Sequence, residues 1–271
     1  MKRIKRLSYP YNVWMGFLII APLLLVVYYG FTNGFGNFTL ANFAKIFEAN
    51  TLKTLYNSVY IAFISTVICL IIGYPMAYMI SRTSARYRTV AMMLIMVPMW
   101  MNFLLRTYAW VTILSPSGVL NSILSIFGLG PVDIMYSQSA IILGMVYNFL
   151  PFMILPIYTA LEKMDYSLVE AAHDLGANKT QALFKVIVPI SLPGVFSGIS
   201  MVFIPAISTF EITTLLGGGK VNMIGNVIEQ QFINTGNWNY GSALALMLMV
   251  FILISILLDS ESVETGGMNA K

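Results

Sequence analysis

The stretch Glu170–Gly194, "EAAHDLGANKTQALFKVIVPISLPG", decides how the chain is read. It lies between two long apolar stretches and carries most of the charge found there. Its first half has the pattern of a short helix. In "SLVEAAHDLGANK", Leu168, Ala171, Ala172 and Leu175 recur at three- and four-residue spacings and make one apolar face. Ala and Glu favour helix, and Gly176 is placed to end it, because glycine accepts left-handed cap geometry. "TQALFKVIVP" then starts a second helix that runs into the next apolar stretch. The short helix either rests its apolar face on the rest of the chain or offers that face to a partner's groove.

Working outward, the surroundings are those of a membrane protein. Of 271 residues, 58% are hydrophobic and only 10% are charged. Soluble domains run near about 45–50% apolar and about 25% charged. Apolar runs of about 20 residues are long enough to span a bilayer. Six can be drawn, over about residues 11–32, 59–80, 89–105, 139–161, 191–216 and 242–258. They make one all-α transmembrane domain across residues 1–271, with the opening stretch in the loop 162–190. Pro75, Pro151 and Pro156 fall inside spans, where neighbouring helices can satisfy the freed carbonyls. Pro205 is expected to break the fifth. The first 31 residues have the basic start and apolar run of a secretory signal. They lack a small-residue cleavage site, so they are read as a retained first helix.

Basic residues set the orientation. Lys2, Arg3, Lys5 and Arg6 precede the first span, Arg82, Arg86 and Arg88 follow the second, and Lys163, Lys179 and Lys185 follow the fourth. With six spans these ends share one side. The other side has Lys45, Lys53, Lys220 and Arg106. The positive-inside rule then places both termini and the Glu170 loop in the cytoplasm. The acidic tail from Asp259 weighs little in that rule. The net charge of +4 is thus accounted for without nucleic acid.

Several chemistries are excluded. The single Cys69 gives no disulfide framework, and the single His173 builds no metal site, so no cofactor is expected. "LLGGGKVN" is not a phosphate loop: Thr214 stands where its first glycine belongs, and Val221 where Ser or Thr belongs. A membrane-embedded enzyme would need a polar catalytic cluster, and there is no His pair, His-Glu-x-x-His or Gly-x-Ser-x-Gly. A self-sufficient secondary carrier predicts more intramembrane charge and often an inverted repeat.

The opening stretch resembles the cytoplasmic signature of ABC importer permeases. That signature is Glu-Ala-Ala, three residues, Gly, nine residues, then Ile-x-Leu-Pro. Here it reads Glu170-Ala171-Ala172, Gly176 and Val186-Ile187-Val188-Pro189, with Val in place of Ile and Leu. "MVPMWMNFLLRTYAW", "ILGMVYNFLPFMILPIYTALEKMD" and "LLGGGKVNMIGNVIEQQF" extend the likeness to PotB-type permeases of spermidine/putrescine importers. The resemblance implies the type I (MetI-like) permease fold and a bacterial cytoplasmic membrane. It implies a non-catalytic subunit whose coupling helix, carrying Glu170, Ala171, Ala172, Asp174 and Gly176, docks into an ATPase. The implied partners are a second, PotC-like permease, a PotA-like ATPase dimer and a PotD-like extracytoplasmic polyamine-binding protein. The signature alone also fits permeases for other small solutes.

A charge inside a span is costly and points to function. Glu211, in "IPAISTFEITTLL", is the best case, with Arg106 near the outer end of the third span. A polyamine is a flexible polycation. Carboxylates and aromatic faces suit it, and each cation–π contact contributes about 0.5–2 kcal/mol. Phe210, Trp100 and Tyr108 are the aromatic candidates, with Trp100 just after Pro98. Glu211 could instead bridge to Arg106, and the two aromatics could belong to an interfacial belt. A pathway carboxylate argues against an anionic solute. The glycines of "LLGGGKVN" are expected to shape a loop at the outer mouth, where a binding protein would dock.

Overall fold

The computed structural model describes residues 9–268, so the N-terminal basic cluster lies outside the described residues. The described residues are mainly helical. In order come α1 (Tyr9–Gly30), α2 (Ala41–Ala44), α3 (Ala49–Arg82), α4 (Ala85–Met96), α5 (Phe103–Leu114) and α6 (Val119–Ile126). There follow α7 (Gln138–Lys163), α8 (Ser167–Asp174), α9 (Lys179–Ala182), α10 (Val188–Ser208), α11 (Glu211–Gly217), α12 (Ile224–Ile233) and α13 (Trp238–Met268). Among the described residues the only β pairing is an isolated bridge, Thr32 to Phe38. Six stretches are long and apolar enough to cross a membrane.

Helix bounds differ from the sequence expectation: α3 starts at Ala49 and not near residue 59, α13 starts at Trp238 and not near residue 242, and the third, fifth and sixth helices differ further. Over residues 89–105 one continuous helix was expected. Instead α4 ends in a 3₁₀ turn, Val97–Trp100, that contains Pro98. Asn102 then caps a new helix, accepting from the N–H groups of Leu104 (2.9 Å) and Leu105 (3.3 Å). Proline withdraws a donor and Asn is among the strongest N-caps, so the chain restarts there. The third long apolar stretch is accordingly Phe103–Ile126. The fifth helix continues through Pro205 and ends only at Thr209, whose N–H still reaches the Pro205 carbonyl at 3.0 Å. The sixth helix continues beyond residue 258 to Met268.

The packed centre is α3, α7 and α10. α7 supplies Ile141, Met145, Met153, Ile154 and Ile157, all fully buried. Lipid tails are as apolar as these side chains, so close backbone approach must supply the packing energy. Small residues permit it. A Cβ on Gly194 of α10 would stand 2.6 Å from the Pro156 carbonyl oxygen and 2.7 Å from Ala160 Cβ on α7. The Tyr74 and Ser191 hydroxyls, 2.9 Å apart, tie α3 to α10. α1 lies against α13, where Asn239 donates to the carbonyls of Tyr29 (3.1 Å) and Thr32 (2.7 Å).

Candidate functional site

Two regions matter, one at α8 and one at the break between α10 and α11. Asp165 starts α8: its carboxylate accepts from the Ser167 N–H at 3.0 Å. That bond and the Ser167 hydroxyl hold the Asp165 carboxyl below the usual carboxylate range. Gly176 ends the helix at φ +86°. Its N–H bonds the His173 carbonyl at 2.9 Å, and the Ala177 N–H bonds Ala172 at 2.9 Å. This is the paired Schellman closure. Asn178 then opens α9 with a capping box: its side chain accepts from the Gln181 N–H at 2.8 Å, and Gln181 accepts from the Asn178 N–H at 2.9 Å. A π turn, Leu183–Ile187, carries the chain straight into α10.

The apolar face of α8 points outward. Leu175 is 90% exposed and Leu168 49%, and Ala171 is exposed as well. The helix is anchored instead by Val169, only 2% exposed and part of the core. Of the two arrangements open from sequence, the face does not adopt the one that rests on the bundle. Glu170 and Asp174 are exposed on the same short helix. Beside it, a recess of about 410 Å³ is lined by Ala172, Leu175, Gly176, Gln181 and Lys185. Two contacts that sequence reasoning missed brace this end. The Arg82 guanidinium sits 4.0 Å over the Tyr166 ring, and Arg88 pairs with Glu162 at 2.8 Å. Each joins groups about 75 or more positions apart, so no local signal marks them.

At the other region, Glu211 stands in the first turn of α11, half-buried, with the Thr209 hydroxyl donating to its carboxylate at 3.3 Å. It forms no ion pair with Arg106: the one ion pair among the described residues is Arg88–Glu162. Arg106 is 9% exposed, its Nε has no partner, and its guanidinium lies 5.8 Å from the Phe103 ring centre. Phe210 lines an apolar groove of about 540 Å³ between α10, α12 and α13, together with Glu229 and Phe232. Glu229 is a second half-buried carboxylate that the span-based search passed over, because it lies between the fifth and sixth spans. Trp100 is 84% exposed and Tyr108 52%, and no ring contact or hydrogen bond links either to Phe210 or Glu211. Phe210 and Glu211 are chain neighbours only: the groove that Phe210 lines includes Glu229 and not Glu211. "LLGGGKVNMIGN" is only partly a loop: Gly218 to Lys220 form an exposed turn, while Met223, Ile224 and Gly225 are buried.

No group of three or more metal-ligating side chains occurs among the described residues. The described residues form a bundle of long apolar helices with a short capped helix, α8, whose apolar side faces outward. The chain belongs to the family of binding-protein-dependent transport system inner membrane components, whose model matches residues 70–260. It is 40% identical over 251 residues to the spermidine/putrescine transport system permease protein PotB of Haemophilus influenzae, covering 90% of this chain and 88% of that one. It is 38% identical over 234 residues to PotB of Escherichia coli, covering 83% and 85%. Its fold matches a chain of a bacterial ABC transporter that imports the polysaccharide alginate, with TM-score 0.82, 18% identity, and 97% and 95% covered. A chain of the MetNI methionine transporter matches with TM-score 0.57, 18% identity, and 79% and 95% covered. The chain is therefore a non-catalytic, multi-pass inner-membrane permease subunit with the type I importer fold.

Proposed function

We propose that this chain is half of the translocation path of an importer for polyamines, spermidine and putrescine, driven by a separate ATPase. The chief support is the likeness to PotB permeases over nearly its whole length. A half-buried carboxylate at the break between α10 and α11, Glu211, suits a polycation and not an anion. The partners are a second, PotC-like permease, two PotA-like ATPase subunits and a PotD-like binding protein. The side that carries α8 is cytoplasmic, in keeping with Arg82, Arg86, Arg88, Lys163, Lys179 and Lys185 there. Both termini lie on that side.

Coupling in this scheme is mechanical. ATPase subunits closing on ATP push α8 through Leu168, Ala171 and Leu175, with Glu170 and Asp174 meeting polar groups of the cleft. α8 cannot yield alone, because its two ends are hydrogen-bonded shut and Val169 is in the core. The push passes through α9 and the π turn into α10, and α10 ends at the break that presents Glu211.

Uptake of labelled spermidine by cells lacking and then regaining this chain tests the scheme, with putrescine and an unrelated solute as competitors. Restored uptake should fall about tenfold or more in Glu211→Gln, the loss of one interaction of about 1.4 kcal/mol. Glu170→Ala should slow uptake while leaving the chain in the membrane. If restoring the chain changes uptake of neither polyamine, the solute assignment is wrong.

A further inference from the structure

We propose that Asn226 is a positioning residue for transport: it clamps the break between α10 and α11 and thereby aims the Glu211 carboxylate. The proposal rests on the reading of Glu211 as a pathway group.

Asn226 is the third residue of α12. Its Oδ1 lies 2.6 Å from the Thr213 hydroxyl and accepts from the Met223 N–H at 3.2 Å. Its Nδ2 donates to the Phe210 carbonyl at 3.1 Å and to the Thr214 hydroxyl at 2.9 Å. Two acceptances and two donations use the whole amide. The orientation is fixed by chemistry, since a carbonyl accepts only and must face the NH₂ end. The Thr213 hydroxyl is also 2.9 Å from the Phe210 carbonyl, but its single proton serves the shorter contact to Asn226.

The Phe210 carbonyl is the peptide group directly before Glu211. It also takes the first bond of α11, from the Thr214 N–H at 2.8 Å. Thr209 and Phe210 are non-helical, at ψ 140° and φ −121°. Two non-helical residues therefore join α10 to Glu211, with the Thr214 hydroxyl also donating to the Phe210 carbonyl at 2.8 Å. Nothing on Glu211 itself fixes its direction beyond the long bond from Thr209. The clamp comes from α12. A Cβ at position 225 would collide with the Ser208 carbonyl oxygen and press to 3.0 Å on that of Thr209, so Gly225 is what lets α12 lie on the break. The Ile224 N–H donates to Ser58 Oγ of α3 at 2.7 Å, which bolts the same turn to the packed centre. Asn226 thus connects a fixed point to the peptide that launches the carboxylate. A misplacement of about 1 Å can cost about a hundredfold in rate where charge positions matter.

The test is a double-mutant cycle on the assembled importer, reconstituted in liposomes with spermidine-loaded binding protein and ATP. Uptake is compared at equal amounts of complex for the parent, Glu211→Gln, Asn226→Ala and the double variant. Two residues that act as a unit are non-additive. The expected result is a loss of about tenfold in Asn226→Ala, at least as much in Glu211→Gln, and no further loss in the double variant. Multiplied losses in the double variant overturn the proposal and leave Glu211 in the path. Full uptake by Asn226→Ala overturns the proposal as well. Full uptake by Glu211→Gln overturns the pathway reading and the proposal with it. If Asn226→Ala does not assemble, Thr213→Val takes its place in the cycle: it removes only the hydroxyl that holds Asn226 Oδ1, and the same outcomes decide.

Discussion

Gly176 holds a backbone conformation, φ +86°, that other residues adopt only at a cost of about 1–2 kcal/mol. Space is not the issue, since a Cβ there meets nothing within 4 Å. Gly176→Ala should therefore leave the bundle intact and loosen only the closure of α8. Hydrolysis of ATP stimulated by the solute-loaded binding protein should drop several-fold in the purified complex. Gly176→Asn should recover part of it, because Asn tolerates the left-handed cap. Equal stimulation in all three would separate this turn from coupling. This residue was legible beforehand, for its place after an amphipathic helical pattern is a local signal. Asn226 was not legible. Three of its four partners, Phe210, Thr213 and Thr214, lie 12 to 16 positions away, and the Ser58 hydroxyl that holds nearby Ile224 lies 166 away, so no periodicity announces them.

At the scale of the element, α8 is inverted relative to an ordinary surface helix. It buries one residue, Val169, and exposes its leucines. Exposed apolar groups on a short, capped helix are the form a docking knob takes. Leu175→Glu should thus cost the fold almost nothing, within about 0.5 kcal/mol as for other surface sites. It should strip the ATPase subunit from the complex in a pull-down from detergent. Retention of the ATPase at the parent's level would show that the apolar face of α8 is not its seat. The pattern of that face could be read from sequence, but its direction could not. An apolar stripe looks the same whether it meets its own bundle or another protein. The third and fifth helices show a related limit. Pro205 was expected to break the fifth span, yet α10 runs through it, while the third, drawn unbroken, is divided by the Pro98 turn and the Asn102 cap.

For the whole molecule, the contact of α7 with α10 decides rigidity. Gly194→Val would drive a branched side chain into the Pro156 carbonyl and Ala160, neither of which can swing aside. Overpacking of this kind costs about 1–3 kcal/mol. The melting temperature of the solubilised complex should fall, and uptake should fall with it. An unchanged melting temperature would mean that the two helices are less tightly apposed than these distances imply. In the proposed scheme the same contact would carry a push on α8 from α10 into α7.

The sequence by itself determined the class: long apolar runs, basic residues gathered at alternate span ends, and the Glu170–Gly176 signature. These are one-dimensional signals, set by transfer energies and by local backbone preference. Only the tertiary structure decided which face of α8 is free, where the helices break, and that Arg106 and Glu211 stay unpaired among the described residues. It also decided that Asn226 holds the turn before Glu211. The reason is physical: a polar side chain such as Asn226 takes whatever partner the packing brings, and three of its partners belong to α11 and the break before it.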